Sequence, residues 1–232
     1  MKNKSRTKLW LVVLPAMTVP FISSLFYFVL FSEHIFARYL YGATKLFTLL
    51  WPITVATLVL KEPGPCFSLY DKLHWKALPW GVLSGAAVVV LMFALMETEI
   101  GGVMAASTPQ IREKAVALGI LNYYWSFALF LSIIHSLIEE YYWRWFVYGT
   151  LRRLLASPAA HLIAGLSFAA HHVVVASEFF SLPWGIVLGT LVGAGGIIWS
   201  LLYQKQGTLS GAWVSHILVD LGIMGVGWKL LA

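Results

Sequence analysis

Seven stretches of about 20 apolar residues, separated by short polar connections, dominate this chain and leave few options for its fold. They fall at about 9–31, 39–60, 77–96, 118–150, 158–176, 182–203 and 209–231, the fourth interrupted by charges. A helix rises about 1.5 Å per residue, so each run is long enough to cross roughly 30 Å of hydrocarbon. No water is available there to satisfy the backbone, and a continuous helix satisfies it internally. The expected fold is all-α: a polytopic membrane helix bundle of about seven transmembrane helices, within a range of six to eight. With 59% apolar and 11% charged residues and a mean hydropathy of +0.79, residues 1–232 read as one integral membrane domain without a soluble partner domain.

The charges that flank these runs set an expected orientation. Lys2, Lys4, Arg6 and Lys8 precede the first run, which is too long for a signal-peptide core and lacks a small-x-small cleavage site, so it is read as a retained span. A cytoplasmic N-terminus then puts Lys61, Lys72 and Lys76, Arg152 and Arg153, and Lys205 on the same side. Glu33, Arg38, Glu97, Glu99, Arg112, Glu113, Lys114 and Glu178 fall opposite, with 101–114 expected as an external loop containing a short amphipathic turn. The net charge of +6 is spent on topology, with no basic stripe interleaved with aromatics, so nucleic acid is not an expected partner. The bilayer is, and the cell (inner or cytoplasmic) membrane is the expected location. Cys66 is the only cysteine, which excludes an intrachain disulfide and a cysteine-based zinc site. The sequence leaves the oligomeric state open.

Several ionisable residues lie where they are expensive. An Asp, Arg or Lys at the centre of a membrane helix costs about 2.5–3.5 kcal/mol on insertion scales. Glu139, Glu140, Arg144 and Asp220 nevertheless lie inside apolar runs, near His135, His171, His172 and His216. Measured from a turn near Leu155, Glu139 and His172 both come out about 25 Å along their helices, at matching depth. His216 and Asp220 come out roughly 14–20 Å from a turn near Gly207. Residues four apart share a helix face, whereas neighbours point about 100° apart. Glu140 and Arg144 are therefore expected to neutralise each other, leaving Glu139 pointing elsewhere. Phe168 shares a face with His172, and His216 with Asp220. His135 shares one with Glu139. Taken singly, His135, His161 and His171 read as interhelical hydrogen-bonders, and His34 and His74 as interfacial. The glycines of the sixth run, Gly185, Gly189, Gly193, Gly195 and Gly196, read as a close-packing surface.

The order EExxxR at Glu139, Glu140 and Arg144, FxxxH at Phe168 and His172, and HxxxD at His216 and Asp220 resembles the CPBP family of intramembrane proteases, which includes the CAAX prenyl proteases and bacterial Abi proteins. The resemblance covers about residues 118–231. It implies a glutamic-type membrane endopeptidase in which Glu139 is the general base, His172 its partner in activating water, and His216 the oxyanion binder. Asp220 stands where prenyl-protease relatives often carry Asn, and Glu140 and Arg144 match the remaining motif positions. Ala176 stands where many relatives carry Asn, a departure that weighs against a prenylated substrate more than against hydrolysis.

The chemistry agrees with those implied roles. A carboxylate in low dielectric is a better base near neutral pH, and an imidazole can share the proton of the attacking water. A histidine N–H positioned beforehand can stabilise the resulting oxyanion by roughly 3–4 kcal/mol. An ionised Asp220 cannot donate to an oxyanion, so it is expected either to be protonated or to orient His216. No cofactor is expected. The alternative is a zinc-dependent CAAX-type metalloprotease using ligands from His135, Glu139, His172, His216 and Asp220, although no HExxH is present. A proton-coupled transporter, for which no inverted repeat is visible, and a non-enzymatic membrane scaffold are the alternatives outside proteolysis.

Overall fold

Each apolar run becomes a helix. The protein's structure is a computed structural model that describes residues 2–32, 34–62, 72–117 and 119–231. Cys66 and Glu33, and the side chains of Lys2, Lys4 and Lys72, lie outside the described residues. Among the described residues, seven helices are long and apolar enough to cross a membrane: α1 (Arg6–Leu30), α2 (Ile35–Leu60), α3 (Leu73–Met96), α6 (Leu121–Leu151), α7 (Ser157–Ser177), α8 (Leu182–Gln206) and α9 (Ser210–Leu231). There is no strand among the described residues. The expected 101–114 loop is instead two short helices, α4 (Glu99–Ala106) and α5 (Thr108–Ala117). Thr98 caps α4 by accepting from the Ile100 amide at 3.3 Å, which offers the backbone a helical start where composition suggested only a loop.

The helices group into two compact units, one of residues 1–70 with 138–201 and the other of 71–137 with 202–232. In the first unit α1 packs against α2 and α7, and α7 meets α8 along a seam of small residues. A Cβ added at Gly185, Gly189 or Gly193 would collide with Ser177, Val173 or Ala169 respectively. Lipid supplies no hydrophobic drive between helices, so this close approach lets dispersion forces hold α7 to α8.

Prolines shape the same unit. Pro20 lies inside α1 and has no N–H, so it leaves the Ala16 carbonyl without its intrahelical donor. The Tyr142 hydroxyl donates to that carbonyl at 2.8 Å. Two similar bonds reach carbonyls three residues before other helical prolines: Trp51 Nε1 to Val12 ahead of Pro15 at 3.0 Å, and Tyr141 to Leu49 ahead of Pro52 at 3.1 Å. Tyr141 and Tyr142 thus tie α6 to proline-containing turns of α2 and α1.

In the second unit α3 runs along α9. Gly81 faces the Gly211 backbone, and Ser84 donates to Ser215 at 3.1 Å. His74 Nδ1 lies 2.6 Å from Ser210 Oγ and 2.5 Å from Thr208 Oγ1, just beyond the turn at Gly207, whose φ of 68° suits glycine. Trp213 donates to the Ile133 carbonyl on α6 at 3.0 Å, Tyr124 donates to the Met224 carbonyl at 2.6 Å, and Arg112 of α5 donates to the Leu231 carbonyl at the end of α9.

Candidate active site

The acid-bearing part of α6 changes its winding. Ser136–Glu139 is α-helical, and Glu140–Tyr148 continues in π-helical turns, a form often found at functional sites. Within this stretch the two adjacent glutamates separate as their spacing predicts. Glu140 Oε1 lies 3.1 Å from Arg144 Nη1, with both side chains almost fully buried. The guanidinium carbon sits 4.5 Å from the Phe168 ring centroid and 4.8 Å from that of Trp199. A carboxylate and two aromatic faces thereby compensate the buried cation. Gly196 provides the space, because a Cβ there would come within 2.9 Å of Phe168 and 3.2 Å of Arg144.

Glu139 takes the other direction, toward α7. Its Oε1 lies 3.9 Å from His171 Nε2, and Glu139, His171 and His172 each bring one donor atom to within 4.8 Å of the others. Glu139 and His171 side chains are each 13% exposed, so the group is largely shielded yet reachable. The matching depths expected for Glu139 and His172 hold within this unit.

Phe168 gives the FxxxH spacing a physical meaning. Its carbonyl accepts from His172 Nδ1 at 2.9 Å, and a carbonyl can only accept. The neutral His172 ring therefore keeps its lone pair on Nε2. The Phe168 ring packs on His172 with centroids 4.4 Å apart while also covering Arg144. One residue thus serves both the ion pair and the imidazole.

His171 is the site residue that the sequence did not single out. Its ring stacks on Trp143 at 5.4 Å with a 5° interplanar angle, and its centroid lies 4.1 Å from that of His172. The 100° step between neighbours suggested different faces, but two imidazoles on adjacent residues are long enough to converge on a point between those directions. His161 behaves as the single-residue reading expected: it lies 3.1 Å from the Tyr148 hydroxyl and 2.7 Å from Ser200 Oγ, linking α6, α7 and α8.

In the second unit His216 Nε2 lies 3.6 Å from Asp220 Oδ1, one turn on along α9. His216 is buried and Asp220 is about one-quarter exposed. The HxxxD spacing brings acid and imidazole together, as expected.

Residues 120–222 match the family model of the Rce1-like type II CAAX prenyl endopeptidases. That range contains all three motifs and every candidate residue named above. The match is confined to the motif-bearing part of the chain, which is thus similar to the CAAX intramembrane proteases. Its apolar helices make it an integral membrane protein. No curated protein and no solved structure matches the chain significantly.

Proposed function

We propose that this protein is a glutamic-type intramembrane endopeptidase of the CAAX family that cleaves a membrane-presented protein or peptide tail. The observation that carries the proposal is the convergence of Glu139 with His172 beside a separately neutralised Glu140–Arg144 pair. Glu140 is the contact partner of Arg144, and Glu139 faces α7 instead. Glu139 removes a proton from the attacking water, and His172 Nε2, left with its lone pair by the Nδ1 bond to Phe168, shares that proton. The family resemblance assigns oxyanion binding to His216, with Asp220 orienting its ring. The collapsing tetrahedral intermediate expels the amine, which takes up the proton held by the Glu–His pair.

A cytoplasmic N-terminus belongs to the same reading. Arg6 donates to the Leu154 carbonyl at 3.0 Å, and Arg153 pairs with Glu62 at 2.9 Å, so basic residues from two chain segments, with Glu62 from a third, gather at one end of the first unit. This clustering supports the positive-inside assignment.

Zinc-assisted hydrolysis is a second reading, favoured by the three donor atoms of Glu139, His171 and His172 within 4.8 Å. The bond from His172 Nδ1 to a backbone carbonyl is also the support that metal-ligating histidines commonly receive. These three residues would hold the ion, which would supply Lewis-acid activation of water.

Quenched tail peptides, prenylated and unprenylated, incubated with the full-length protein in nanodiscs test both readings. Glu139→Ala and His172→Ala are expected to lose cleavage at normal membrane levels, and intact cleavage in both defeats the proposal. Stoichiometric zinc, with activity lost to chelator and restored by zinc, selects the metal reading. Proton-driven flux in proteoliposomes without cleavage of any peptide selects a transporter instead.

A further inference from the structure

His171 has two ring nitrogens in unequal surroundings. Nδ1 is buried and has no hydrogen-bond partner among the described residues, whereas Nε2 points to within 3.9 Å of Glu139. A proton on Nδ1 would leave a buried donor unsatisfied, which is unfavourable. The neutral ring therefore favours its proton on Nε2. Its neighbour has the opposite arrangement, since His172 commits Nδ1–H to Phe168 and keeps its lone pair on Nε2. Consecutive histidines thus present one donor and one acceptor to the space beside Glu139.

The His171 ring is also held in place. Trp143 stacks on it nearly parallel, and Phe168 meets it at 76° with centroids 5.5 Å apart. Trp143 comes from the EExxxR turn itself, so the segment that carries Glu139 also fixes the ring facing it.

We propose that His171 is a positioning residue that donates Nε2–H to Oε1 of Glu139 and so holds the carboxylate in place for the attacking water. This rests on the reading of Glu139 as the base. The separation of 3.9 Å exceeds a hydrogen bond, so the proposal requires the carboxylate to turn toward the ring. Catalytic hydrogen bonds are often long before substrate binds.

Infrared difference spectra of the full-length protein in nanodiscs test the contact without a substrate. Wild type minus Glu139→Gln isolates the Glu139 carboxyl bands, and the same difference is recorded in His171→Phe and His171→Gln backgrounds. The expected result is a displaced band with Phe, which keeps the stack but cannot donate, and a restored band with Gln, which donates. An unmoved band in the Phe background overturns the proposal, and His171→Ala serves that comparison if the Phe variant does not accumulate. On a tail peptide cleaved by wild type, His171→Phe should lower kcat about 10–100-fold, the size of one charge-assisted hydrogen bond, with KM nearly unchanged. Gln should retain more activity than Phe. The reverse order is what a packing role gives, and it would also overturn the proposal. Full activity in Glu139→Gln would instead defeat the reading of Glu139 as the base, while the band comparison still decides whether His171 holds the carboxylate.

Discussion

His172 donates Nδ1–H to the carbonyl of Phe168, four residues earlier on α7, at 2.9 Å. That bond fixes which nitrogen keeps its lone pair. An Asn side chain at position 172 can reproduce the donor to Phe168 but has no second nitrogen with which to share a proton. His172→Asn should accumulate and melt like wild type, yet lose about 10²–10⁴-fold in kcat. Thermal melting in detergent alongside peptide cleavage checks this, and a stable variant with wild-type turnover removes His172 from the chemistry.

Removing one member of the Glu140–Arg144 pair leaves a buried charge uncompensated. Arg144→Met should therefore destabilise the protein by about 3–5 kcal/mol, whereas Glu140→Gln combined with Arg144→Met should recover much of that loss. Equal losses in the single and double variants, measured by reversible unfolding in mixed micelles, would show that the partners are not coupled.

Tyr142 answers a carbonyl that Pro20 leaves without an intrahelical donor. Tyr142→Phe should cost about 1–3 kcal/mol. Adding Pro20→Ala restores an amide to Ala16 and should make the tyrosine substitution milder. A double-mutant cycle reads this directly, and additive effects would mean that the two residues do not share the carbonyl.

The α7–α8 seam has no room for larger residues. Gly189→Leu or Gly193→Leu should reduce the accumulation and melting temperature of the folded protein, because the new side chain would meet Val173 or Ala169. Gly42 faces open space, and Gly42→Ala in the same helical bundle should be neutral or stabilising by about 0.5–1 kcal/mol. Matched melting curves separate these outcomes.

The sequence by itself determined the helices and the local pairs. Apolar run length reports crossing distance, and i,i+4 spacing brings Glu140 to Arg144, Phe168 to His172 and His216 to Asp220, all within one turn of helix. Composition missed α4 and α5 because the Gly- and Ser-containing stretch resembles a loop until Thr98 supplies a cap. Only the tertiary structure decided what lies across a helix pair: His171 beside Glu139, Trp199 over Arg144, and Tyr142 on the carbonyl freed by Pro20. Periodicity gives a side chain's direction on its own helix. Which neighbour fills that direction depends on helix rotation and approach, set here by small-residue seams and proline turns distributed over the chain.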